Sequence, residues 1–255
     1  MPSVAVTTPE AGVARIAIDR PSRRNAVDPE TRDALIAAIE VALGDDKVHA
    51  LLLGSEAGHF CAGGDIDSMA GLDIAAARAR MKRNHRLVRL LIEAEKPVLC
   101  AVEGYAVGAG AGLALLADSI VLAEGGTIGF PFFRVGLVPD YGILYTLPRR
   151  VGAARARRIL FHGAMFRGSE AIDAGIADEL VHDGTAEERA VALARSLAAL
   201  PPHAFGLIKR HLAMAPLSLE STLEMEAMAQ SLAFNGPEFA EGRNAFADKR
   251  KPNFR

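Results

Sequence analysis

The 255-residue sequence has no tryptophan, three tyrosines and two cysteines, and its net charge is only −2. Each shortage excludes something. With Cys61 and Cys100 alone, neither a disulfide framework nor a CxxC metal motif can be built. A near-neutral charge gives no general attraction to nucleic acid or to a membrane surface. No apolar run approaches the roughly 20 residues that span a bilayer. The opening MPSVAVTTPE lacks the basic and apolar regions of a signal peptide. The histidines show no HExxH or paired spacing, so no metal site is expected. Half of the chain is hydrophobic, enough for a large core. A cytoplasmic globular protein with neither nucleic-acid nor membrane partners is expected.

Glycine, by contrast, is concentrated where it carries meaning. FCAGGDI at residues 60–66 and EGYAVGAGAGLALLAD at residues 103–118 each follow an apolar run with the pattern of a buried strand, residues 50–53 and Val98–Val102. Glycine and alanine leave peptide N–H groups uncovered and let backbone approach a ligand. Two such donors meeting one carbonyl oxygen would form an oxyanion hole, which stabilises an enolate. Three glycines in the helical stretch at residues 108–112 cost roughly 1 kcal/mol each. Either tight packing or a ligand at the helix N-terminus must offset that cost. The spacing is GxGxG, not the GxGxxG of a dinucleotide site. FCAGGDI alone also fits a strand-to-helix turn capped by Asp65. Cys61 fits a small buried residue better than a nucleophile, because no basic group stands at a telling spacing.

The remaining pattern alternates strands and helices. Residues 4–7 can pair with Val13–Ile18 through a turn at 9–12. Residues 20–26, RPSRRNA, form a polar loop, and Asp28 with Pro29 opens a helix striped by Leu35, Ile36, Ile39 and Leu43. A second amphipathic helix is expected over 75–93, with Met81, Val88, Leu91 and Ile92 on one side. Helix 108–117, strands Ser119–Ala123 and 127–130, a helix-prone stretch at 152–161, a segment at 168–175, and a strand at 177–181 follow. Beyond Thr185 the pattern is helical only. This predicts a mixed α/β core with a helical appendage. Leu219, Leu223, Met225, Met228 and Leu232 exceed what one packed stripe needs, which leaves subunit contact open.

Taken in order, RPSRRNAV (20–27), HFCAGGDI (59–66), KPVLCAVEGYAVGAGAGLALLAD (96–118), GLVPDYG (136–142), LPRRVG (147–152) and EGRNAFADKRKPNF (241–254) resemble the crotonase superfamily, the enoyl-CoA hydratase/isomerase family. The resemblance covers essentially the whole chain. It implies an α/β fold, a spiral of ββα units over 1–190, and a C-terminal helical trimerisation region over 191–255. It implies a homotrimer or a hexamer built as a dimer of trimers. It also implies an acyl-CoA substrate, with CoA thioester chemistry and no further cofactor, and a thioester enolate held by the N–H groups of Ala62 and Ala109.

The resemblance leaves the reaction itself open. Hydratases of the family use two glutamates; here those places hold Gly112 and Phe132, which transfer no proton. Asp140 in LVPDYG stands where several isomerases carry their acid/base, and one carboxylate can both remove and return the proton of a double-bond shift. Capping of a helix starting near Tyr141 is the plainer role for Asp140. Val138, Pro139 and nearby phenylalanines are expected to desolvate it and raise its pKa. Tyr141 can donate a hydrogen bond beside it. Phe130, Phe132, Phe133, Met69, Met81, Leu137 and Tyr145 are candidates for an apolar acyl pocket or for ordinary core. By resemblance, Arg23, Asn25 and Ala26, with Gly63, Gly64, Asp65 and Ile66, flank the pantetheine and adenine of CoA. Phe246 and Lys249 match C-terminal residues that reach adenine and phosphates, often from a neighbouring subunit. The expected activity is enoyl-CoA isomerisation; a non-catalytic acyl-CoA binder and an atypical hydratase or other enolate chemistry are the alternatives.

Overall fold

The computed structural model describes residues 3–214 and 218–254. Strands β1 (Val4–Glu10) and β2 (Val13–Ile18) form the expected hairpin, with Val4 opposite Ile18 and Thr7 opposite Arg15. Helix α1 (Pro29–Gly44) starts as its capping residues dictate: Asp28 accepts the Thr31 N–H at 2.8 Å. β3 (Ala50–Ser55) precedes α2 (Ile74–Ile92), which Asp73 caps in the same way. Then come β4 (Val98–Val102), β5 (Tyr105–Val107), α3 (Ala109–Ala114), β6 (Ser119–Ala123) and β7 (Thr127–Gly129). α4 (Ile143–Val151), α5 (Ala153–His162), β8 (Met165–Arg167), α6 (Ser169–Asp173) and β9 (Glu179–Val181) follow. The chain finishes with α7 (Ala186–Ala198), α8 (Pro202–Ala213), α9 (Leu219–Phe234) and α10 (Pro237–Ala247).

The large sheet runs β1-β2-β3-β4-β6-β9, parallel throughout except for the opening hairpin. A small sheet, β5-β7-β8, stands beside it. Two single-residue parallel bridges, Val27 to Gly64 and Cys61 to Ala106, extend the small sheet across the loop at 61–64. Each circuit of the chain therefore lays one strand in the large sheet and one segment in the small row, then a helix outside. This is the ββα spiral.

β2, β3 and β4 are buried on both faces, as a parallel sheet requires. One face packs on α1, α2 and α3; the other meets Ala186, Ala190 and Ala194 of α7. Glu103, next to the glycine-rich segment, accepts the N–H groups of Gly184 and Ala186 at 3.0 and 3.1 Å and so caps α7. A divide at 190/191 thus falls inside a helix that packs on the sheet. α8 is tied down by Lys209, whose ammonium lies 2.7 Å from the Asp118 carboxylate. α9 buries no residue in the protomer.

β5 and β8, three residues each, are strands that the sequence pattern did not indicate. α3 stops at Ala114 rather than 117 because its last N–H groups turn to i−3 carbonyls: Leu116 donates to Leu113 and Ala117 to Ala114.

Candidate active site

A buried polar clamp fixes the loop at 20–26 to FCAGGDI. Arg24 and Asn25 are left-handed, at φ 50 and 58, a strain of order 1 kcal/mol per residue away from glycine. Asn25 offsets it: its Oδ1 accepts the Arg20 N–H and its Nδ2 donates to the His59 carbonyl, both at 2.7 Å. The Arg20 guanidinium bridges Asp28 at 2.8 Å and Asp65 at 3.3 Å. Asn25 and Asp65, expected against CoA, therefore commit their side chains within the protein. Asp65 also does not use its side chain to cap the turn that follows. Arg23 and Ile66 are exposed at the loop surface, Arg23 paired with Asp67 at 3.2 Å.

The oxyanion donors need one correction. The Ala62 N–H already donates to the Arg24 carbonyl at 3.0 Å. It is not free for a ligand. In the Val27–Gly64 bridge the paired groups are the Gly63 carbonyl with the Val27 N–H and the Asp65 N–H with the Val27 carbonyl. The peptide groups of Gly64 itself therefore point away from Val27, to the side where β5 and α3 stand. Neither the Gly64 nor the Ala109 N–H has an acceptor among the described residues. The loop and α3 are in direct contact: a Cβ at Gly63 would meet the Val107 carbonyl at 3.1 Å, and one at Gly110 would collide with the Cys61 carbonyl. Glycine at these two positions permits that approach.

Asp140 precedes Tyr141, whose Cβ lies 2.5 Å from where Gly112 of α3 would carry one. Tyr141 is left-handed at φ 48 and, with Gly142 at φ 75, turns the chain into α4. The helix begins after Gly142 and receives no side-chain cap, so Asp140 does not serve as one. Its Oδ2 accepts from Asn84 Nδ2 at 3.4 Å, while its Oδ1 is buried with no protein partner. Burial raises the carboxyl pKa from 3.8 to about 6, opposed by the positive charge of Arg80 and by the Asn84 hydrogen bond. Val138 does not supply that burial, being exposed, and Phe133 and Leu137 are exposed too. Tyr141 is 4% exposed, and burial beside Asp140 holds its phenol protonated.

Phe132 is buried, its ring tip 4.0 Å from where Gly108 would carry a Cβ, and so lies at the start of α3. Met69 Cε covers Gly64 in the same sense, at 2.5 Å. Phe130 belongs to the core. Tyr145 leaves the site: its hydroxyl donates to the Ala213 carbonyl, and it lines a cavity of about 350 Å³ beside α8 with Leu116 and Lys209. Cys61 is fully buried and its thiol is pushed up to about 12, which rules out a resident thiolate. Ala26 is held in the loop by the Arg23 carbonyl. Phe246, 88% exposed on α10, and Lys249, just beyond that helix, are open to the surface in the protomer. Asn84 and the buried Arg32 behind it are site residues that the sequence reading missed.

The sequence profile of the enoyl-CoA hydratase/isomerase family matches residues 8–255. The chain is 34% identical over 252 residues to 1,2-epoxyphenylacetyl-CoA isomerase of Escherichia coli K12, covering 96% of this chain and 95% of that one. It is 30% identical over 254 residues to 2,3-dehydroadipyl-CoA hydratase of the same organism, covering 99% of both. The crystal structure of an enoyl-CoA hydratase/isomerase from Cupriavidus metallidurans CH34 superposes with a TM-score of 0.91 at 30% identity, covering 100% of this chain and 97% of that one.

Proposed function

Because the chain belongs to the enoyl-CoA hydratase/isomerase family, with the crotonase-type fold and an acyl-CoA thioester as its substrate class, we propose that it is a cytoplasmic enoyl-CoA double-bond isomerase with Asp140 as its acid and base. The Asp140 carboxylate removes a proton from one acyl carbon. The electron pair moves into the thioester carbonyl, and the N–H groups of Gly64 and Ala109 hold the resulting enolate oxygen. The same carboxyl group returns the proton two bonds away, so the double bond shifts with no net gain or loss of atoms.

One observation carries this reading. The buried Asp140 has one oxygen anchored and the other without a protein partner, while the two places expected to hold hydratase glutamates are Gly112 and Phe132. A carboxyl group with a pKa of about 6 exchanges protons readily in both directions near neutrality. Phe132 adds an apolar wall where a water-activating group would otherwise stand.

Arg23, Ala26, Gly63 and Ile66 remain as contacts for the pantetheine and adenine. Exposed Leu219, Leu223, Met228, Leu232 and Phe246 on α9 and α10 support an assembly that covers them. A homotrimer or a dimer of trimers does so and brings Phe246 and Lys249 to a neighbouring subunit's CoA. Among the described residues no single helix is long and apolar enough to cross a membrane.

The test is Asp140→Asn assayed with 3-enoyl, 2-enoyl and dienoyl thioesters of CoA. Loss of 3-enoyl turnover with acyl-CoA binding retained supports the shuttle; undiminished turnover removes Asp140 from it. Wild-type binding with no conversion anywhere identifies a non-catalytic binder. Solvent isotope at C2 and C4 without water addition separates isomerisation from hydration.

A further inference from the structure

Asn84 lies on α2 in the buried stripe shared with Leu87 and Leu91, and is itself 2% exposed. A primary amide there is costly unless both of its ends are satisfied. Its Nδ2 faces Asp140 Oδ2 at 3.4 Å, and its Oδ1 faces Arg32 Nη1 at 3.5 Å. This orientation is forced by its neighbours: a guanidinium only donates and a carboxylate only accepts. Arg32 is buried on α1, with its other nitrogens on Asp33 at 3.0 Å. One helical turn before Asn84, Arg80 donates to the Ser68 hydroxyl at 3.1 Å and so holds the turn after FCAGGDI.

We propose that Asn84 is a positioning residue for Asp140: polarised by Arg32, it pins Oδ2 and thereby leaves Oδ1 as the oxygen that handles the proton. The inference rests on the acid/base reading of Asp140. The groups that face Asp140 are Asn84 and Arg80 from α2, Arg32 behind them from α1, and its own neighbour Tyr141. Among the described residues only Asn84 touches it by a side-chain hydrogen bond. Its N–H supports the charged carboxylate, as does the charge of Arg80. Arg32 draws electron density from the amide oxygen and so strengthens the N–H on the far end.

Two substitutions separate positioning from mere packing. Asn84→Asp keeps the volume but puts a second carboxylate beside the first. With Arg32 next to it, the new group ionises first, and Asp140 must then lose its proton against a like charge. The rising limb of kcat/KM against pH is expected to move upward by about one pH unit or more. Asn84→Leu removes the donor without adding charge. Its limb is expected to move up less, with kcat down about tenfold at neutral pH and KM nearly unchanged.

If both variants fold, as judged by circular dichroism and native mass, and both keep the wild-type limb, the proposal is overturned. If Asn84→Leu does not fold, the isosteric Asn84→Asp decides alone. If neither variant folds, Asn84 is a packing residue and the proposal fails. Asp140→Asn, assayed in parallel, keeps the two readings apart. An active Asp140→Asn sinks the acid/base assignment, whereas an inactive one beside an unmoved Asn84 limb sinks only this inference.

Discussion

A Cβ added to Gly112 would stand 2.5 Å from the Cβ of Tyr141. Tyr141 cannot retreat freely, because its left-handed backbone is part of the turn that presents Asp140. The glycine where a hydratase glutamate was expected is thus required by the aromatic residue packed over it.

Gly112→Glu is therefore expected to gain no hydration of 2-enoyl thioesters. It should lose isomerisation by tenfold or more and destabilise the fold by about 1–3 kcal/mol, the usual cost of overpacking a core. Tyr141→Gly relieves both the contact and the positive φ, so the double variant should recover most of the lost stability. Urea unfolding of the two single variants and the double variant measures that coupling. Additive losses would show that the two residues do not oppose each other.

Deleting single N–H groups tests the oxyanion donors. Ala109 is the first residue of α3, a position where proline fits a helix well. Ala109→Pro should keep the fold and lower kcat by about 10²- to 10³-fold, the usual cost of one oxyanion donor. Ala62→Pro should behave differently. It breaks the bond to the Arg24 carbonyl, so its effect is expected in the melting temperature. If Ala109→Pro costs less than about threefold in kcat, its N–H holds no developing charge.

Asp140 also links activity to stability through pH. Its folded-state pKa, about 6, lies above the ordinary 3.8. Between those values the unfolded chain has released its proton while the folded chain still holds it. Stability therefore falls as pH rises through this window and stays lowered above it. The full displacement corresponds to roughly 3 kcal/mol as an upper bound. Asp140→Asn, inactive, should be the more stable protein by about 1–3 kcal/mol near pH 8, and the gap should close below about pH 4. Chemical denaturation at the two pH values checks this. Activity should follow the opposite course, kcat/KM rising through about pH 6 as the base form appears.

Much of this was legible from pattern alone. The hairpin, Asp28 as a cap, and the buried runs in β3 and β4 follow from local chemistry, whereas Asp140 was singled out by the family resemblance. The choice between Ala62 and Gly64 follows from neither. It depends on which side of one parallel bridge each peptide faces, a matter of register between segments far apart in sequence. Asn84 and Arg32 left a fainter signal, as single polar residues at helical spacing within the stripes of Leu87 and Leu91 and of Leu35, Ile36 and Ile39. Such a residue on an apolar stripe needs a buried partner. Which partner it meets depends on the packing of α1, α2 and the Asp140 turn together.

The exposed side chains of α9 bear on assembly. At 100° per residue, Leu219, Leu223 and Phe234 fall on one side of the helix and Met228 and Leu232 nearly opposite. The half-buried Met225 and Ala229 lie between them, against the protomer. One helix therefore offers two separate apolar surfaces, enough for contact within a trimer and between trimers. Leu219→Lys with Leu223→Lys, and separately Met228→Lys with Leu232→Lys, should each lower the assembly by one step in sedimentation while leaving helix content intact. The pair that breaks the trimer should also raise KM for acyl-CoA. If Phe246 and Lys249 serve a neighbouring subunit's CoA, as proposed, they would then have lost that subunit. Unchanged mass for both pairs would mean that α9 is not the assembly surface.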